Sequence, residues 1–99
     1  MNNNDVIKLL DNEKTIAEHE KIILRYFQTG ILDRADAIRK YKEFNIKHPE
    51  YCAAIESCRI SGGNVFPLEN MPDGDIVVNL NRQLMHLGGK NLLEDLKND

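Results

Sequence analysis

Apolar residues recur at three- and four-residue intervals along most of this chain, and polar residues fill the positions between them. Val6, Ile7, Leu9 and Leu10 make a short amphipathic turn with Asp5 as its cap, interrupted by Asp11-Asn12. Thr15 and Glu18 have the spacing of a capping box, which predicts a helix opening at Thr15. Ile16, Ile23, Leu24 and Phe27 give that helix its apolar spacing, Ile22 and Tyr26 widen the face, and Gly30 supplies a stop. Asp33 caps a second helix that turns Ala37, Ile38 and Tyr41 inward and leaves Arg34, Arg39, Lys40 and Lys42 on its exposed sides. The stretch "NIKHP" reads as a turn, with Ile46 plugged into the core. His48-Pro49 opens a third helix, since proline is tolerated at the first helical position. Ala54, Ile55 and Cys58 form the expected buried side of that helix.

After Gly62-Gly63 the pattern changes. "NVFPL" and "DIVVNL" read as two strands joined by the turn residues of "ENMPDG", and Pro67 marks its strand as an edge. "NRQLMHL" and "NLLEDLK" return to helical leucine spacing on either side of Gly88-Gly89, with Asn91 and Glu94 in a second capping arrangement. Three helices, a hairpin and further helix predict a mainly helical α+β fold. It is a winged helix-turn-helix domain with core 14–80 and a C-terminal helical extension over 81–97. Ninety-nine residues make one domain, 1–99.

Composition adds little to this picture, but charge does. The chain is acidic overall, at −3, yet residues 34–63 carry six basic and four acidic side chains. Both flanking thirds are net negative, so the middle third is the only locally positive part. Cys52 and Cys58 are six apart, which is neither a redox nor a zinc spacing, and they read as small buried side chains. No stretch approaches the ~18 consecutive apolar residues of a membrane span. The polar start "MNNND" does not resemble a signal peptide, so the expected location is cytoplasmic.

The run from Glu20 to Phe66 resembles small phage-type helix-turn-helix proteins. Asp36-Ala37-Ile38 matches the second helix of that family. Ile55, Cys58 (where leucine is usual), Arg59 and Gly62 match the third, and Val65 follows as a strand residue. The resemblance implies a winged-helix fold whose third helix enters DNA, and a place in the cytoplasm of a bacterial host. The departures are Ala54, Ile60 and Ser61 at positions that are often basic, together with Glu50 and Glu56 flanking the helix. From Pro49 to Arg59 the charges sum to −1, and base readout leans on Arg, Lys, Asn and Gln.

Two functions from different classes follow. The first is a non-enzymatic regulator binding duplex DNA through Arg34, Arg39, Lys40, Lys47, His48, Tyr51, Ser57 and Arg59. The second is a protein-binding inhibitor of a host enzyme or defence complex, anti-CRISPR-like, whose acidic surface mimics nucleic acid. These candidate contacts also have an ordinary structural reading: a solvated helix face for Arg34, Arg39 and Lys40, an ordinary loop for Lys47 and His48, a carbonyl cap for Arg59 and a core position for Tyr51. His19, His48 and His86 are far apart in sequence, and Asp73-Gly74-Asp75 lacks the other ligands of a calcium loop. No catalytic, metal or cofactor site is expected. Leu80, Leu84, Leu87, Leu92, Leu93 and Leu96 either close the core or form a homodimer contact.

Overall fold

The computed structural model of the chain describes residues 2–54 and 71–97. Among the described residues there are five helices: α1 (Asn3–Thr29), α2 (Arg34–Lys47), α3 (Pro49–Ala54), α4 (Asp73–His86) and α5 (Leu92–Lys97). Helix α4 packs against both α1 and α2, while α1 and α2 touch each other much less.

The first helix is longer than its pattern predicts, at about 40 Å. Its N-cap is Asn2, whose Oδ1 accepts from the Asp5 N–H at 2.9 Å. Asp5 therefore sits in the first turn, where its charge suits the helix dipole. No break occurs at Asp11-Asn12, and Thr15 lies in the helix interior instead of capping a new start. Its hydroxyl donates to the Asp11 carbonyl at 3.0 Å, the back-bond by which a mid-helix threonine satisfies itself. The other end conforms to expectation. Gly30 takes φ 73°, a left-handed geometry that glycine adopts without strain, and its N–H donates to the Tyr26 carbonyl at 2.7 Å.

The cap of α2 is Asp33, accepting from the Asp36 N–H, as the sequence suggests. The helix then continues to Lys47 instead of turning at Asn45, and the helical period carries Ile46 to the side away from Phe44. Ile46 is consequently 81% exposed rather than plugged into the core. Pro49 opens α3 as expected. Ile55, Ser57, Cys58, Arg59, Gly62-Gly63 and the predicted strand "NVFPL" lie outside the described residues.

The winged-helix expectation fails at the second strand. Residues 75–80, "DIVVNL", belong to α4, and the described residues contain no strand. The reason lies just beyond the run. Ile76, Val77, Leu80 and Leu84 are all buried, and that spacing repeats with a helical period, not with the alternation of a strand. A two-stranded wing cannot form when one of its strands is helix, so the α+β reading is replaced by an all-helical arrangement over the described residues.

The core joins Ile23 of α1, Leu32 of the connector, Ala37 and Tyr41 of α2, Ile76, Val77, Leu80 and Leu84 of α4, and Leu92 of α5. Each fully buried leucine or isoleucine contributes about 1.5–3 kcal/mol. Leu80, Leu84 and Leu92 thus close the core, which removes them from any surface offered to a second copy. Beyond α4, Gly88 adopts φ 91° and Gly89 packs so closely that a Cβ there would lie 2.9 Å from the Leu84 carbonyl oxygen. Asn91 then caps α5 by accepting from the Glu94 N–H, and Asn81 Oδ1 accepts from the Leu92 N–H, tying α5 back to α4.

A polar network runs through this apolar interior. His19 Nε2 lies 2.8 Å from Gln83 Oε1, and His19 Nδ1 lies 3.1 Å from the Thr15 carbonyl oxygen. Gln83 Nε2 donates to the Tyr41 carbonyl and to Asn45 Oδ1, both at 3.2 Å. Three helices are therefore held in register by directional bonds where apolar packing alone tolerates sliding.

Candidate functional site

The cations expected to form a nucleic-acid face do not share one surface with free charges. Arg34 pairs with Asp73 at the start of α4, and Arg39 pairs with Asp36 one turn earlier on its own helix. Lys40 reaches across to Glu18 of α1, and this hydrogen bond holds its ammonium pKa above the ordinary lysine value. Lys47 Nζ lies 3.3 Å from Asp11, also on α1. These four cations thus face carboxylates, spread over the α1 side, the α4 side and the exposed back of α2. Exposed and partly exposed pairs of this kind stabilise weakly, but they do neutralise the charge a phosphate would seek.

Tyr51 is buried and meets Phe44 edge-on at 5.2 Å between ring centroids. Burial pushes its phenol pKa up to about 12, and the ring is unavailable for stacking on a base. Ser57 and Arg59 fall outside the described residues.

His48 has different company. It is the C-cap of α2, with its N–H on the Phe44 carbonyl at 2.8 Å and its own carbonyl accepting from the Tyr51 N–H at 3.0 Å. This backbone corner carries α2 into α3 and sets Glu50 beside the His48 ring. His86, the last residue of α4, enters from the other side. Glu50 Oε1 is 3.3 Å from both His48 Nδ1 and His86 Nε2. Its carboxyl is held below the usual range by its own backbone N–H and by hydrogen bonds from His86 and His48. The two imidazoles rest on an aromatic floor: His48 lies 4.6 Å from Phe44, and His86 lies 5.1 Å from Tyr51. Sequence reading separates these histidines because 37 residues lie between them, and no local spacing announces their meeting.

The outward side of α1 is the other surface of note. Its inward side carries Ile16, His19, Ile23 and Tyr26. On the helical period, Val6, Leu10, Ala17 and Leu24 fall within about 40° of one another on the opposite side. Phe27 flanks them near the C-terminal end. Val6 is 40% exposed, Leu10 59% and Phe27 50%. Glu13 and Glu20 edge this stripe on one side, and Lys14 and Lys21 edge it on the other. Residues 2–10 are exposed throughout, so the first turns of α1 extend beyond the core that holds the rest of the helix.

No helix among the described residues is long and apolar enough to cross a membrane. Comparison of the chain with known protein families, with curated proteins and with solved structures finds no match.

Proposed function

We propose that this chain is a small protein-binding module of regulatory type, and that its contact surface is the outward side of α1. The observation that carries this reading is the apolar stripe Val6, Leu10, Ala17, Leu24 on a helix whose core contacts, among the described residues, lie on the other side. Apolar residues scattered singly over a surface need no explanation, but a stripe at helical spacing suits the groove or seam of a partner helix. The charges restrict the occupant. An amphipathic helix of a different protein fits if basic residues edge its apolar stripe opposite Glu13 and Glu20, and acidic residues edge it opposite Lys14 and Lys21. A second copy fits in one direction only: two α1 helices packed antiparallel set the glutamate edge against the glutamate edge and the lysine edge against the lysine edge, whereas packed in parallel they set the glutamate edge of one against the lysine edge of the other. The pairing of Arg34, Arg39, Lys40 and Lys47 with carboxylates favours protein over duplex DNA as the partner.

The test uses a synthetic amphipathic helix with leucines along one stripe, lysines along one edge and glutamates along the other. Saturable binding is expected to this peptide and to be at least roughly tenfold weaker for a peptide with glutamates along both edges, which no reversal of direction can match. Leu24→Glu and Leu10→Glu should each abolish it while leaving the far-ultraviolet circular dichroism unchanged. Equal binding of both peptides, or a wild-type chain that dimerises in sedimentation equilibrium through Leu10 and Leu24, overturns the choice of occupant. A salt-sensitive gel shift of random duplex DNA, weakened by changing Arg39 and Lys40 together, overturns the protein-binding reading itself.

A further inference from the structure

The structure assigns a transition-metal site to the corner where α2 passes into α3 and meets the end of α4, with His48 Nδ1, the Glu50 carboxylate and His86 Nε2 as its ligands. These three donor atoms all lie within 4.8 Å of one another. Two of the three edges measure 3.3 Å, from Glu50 Oε1 to each imidazole nitrogen. Ligands bound tetrahedrally at about 2.0–2.1 Å stand about 3.3–3.4 Å apart, so these two edges already have the spacing of a filled site. The donor set of two imidazoles and one carboxylate selects a dication of borderline softness, zinc or cobalt, over magnesium or calcium, which prefer all-oxygen shells.

The corner is also built to hold its ligands still. His48 is fixed at its backbone by hydrogen bonds to Phe44 and Tyr51, and its ring packs on Phe44. The His86 ring packs on Tyr51 and lies 6.1 Å from Phe44. Glu50 is exposed, so an ion reaches the site without any rearrangement of the core. Three protein ligands leave a fourth position open to solvent, where water or a side chain from a bound protein completes the tetrahedron. Filling the site fastens the end of α4 to the α2–α3 corner.

The experiment is a titration of the reduced, metal-free full chain with Co²⁺, followed by displacement with Zn²⁺. One equivalent of Co²⁺ is expected to give the visible d–d spectrum of a tetrahedral nitrogen–oxygen site, without the near-ultraviolet charge-transfer band that thiolate ligands produce. Zinc should bleach that spectrum and raise the melting temperature. Glu50→Gln and His86→Gln should each weaken cobalt affinity by roughly tenfold or more. Glu50→Gln alters only an exposed side chain, so it decides the matter even if the His86 variant folds poorly. Three outcomes overturn the assignment: a wild-type chain that gives no spectral change with excess cobalt, a thiolate band that places the ion on cysteine, and binding that is indifferent to Glu50→Gln.

Discussion

His19 is almost wholly buried, and both of its ring nitrogens face carbonyl oxygens. A neutral imidazole has one N–H to offer, so the two acceptors favour the doubly protonated ring while burial opposes it. Burial is the larger influence and lowers the His19 pKa below its ordinary value of 6.5, with the bonds to Gln83 and Thr15 pulling the other way. The unfolded chain therefore binds the proton more readily than the folded one. Stability is full above pH about 6.5 and declines as acid carries the solution down through the folded pKa. The expected outcome is a melting temperature that falls between neutral pH and about pH 5, before most carboxylates titrate. His19→Gln should remove most of that slope. If wild type and variant lose stability in parallel over this range, His19 is not its source.

Among elements, α4 gives the clearest test of the fold. Val78 sits on its outer side at 36% exposure, where packing decides little. In a helix a β-branched residue gives way to alanine with a gain, so Val78→Ala should stabilise by about 0.5 kcal/mol. In a strand the same change should cost a comparable amount. Urea unfolding distinguishes the two signs. The same segment shows why parts of the architecture were legible and parts were not. Caps are local chemistry, so Gly30, Asp33, Pro49 and the Asn91–Glu94 pair announce themselves in sequence. Interiors are decided by what packs on them. "DIVVNL" carries strand-forming valines, and only its continuation to Leu84 reveals the helical repeat. Thr15 has the chemistry of a cap, yet it lies inside a helix already started at Asn2. The His48–Glu50–His86 corner left no trace in sequence at all, because it forms only when the end of α4 docks.

At the scale of the molecule, α4 is the common neighbour. Ile76, Val77, Leu80 and Leu84 supply much of the core, and Gln83 supplies the bonds that hold α1 and α2 in register. The two earlier helices share comparatively little contact of their own. A fragment of residues 1–54 should accordingly show helical circular dichroism without a cooperative thermal transition. Cooperative melting in that fragment would mean that α1 and α2 form a core unaided.

This placement has a consequence in time. A ribosome releases α1 and α2 before it finishes the segment that unites them, so the growing polypeptide must carry Ile23, Tyr41 and Phe44 uncovered until His86 has emerged. The interval is short for so brief a message, but it is when the newborn chain is most exposed to capture by chaperones or proteases.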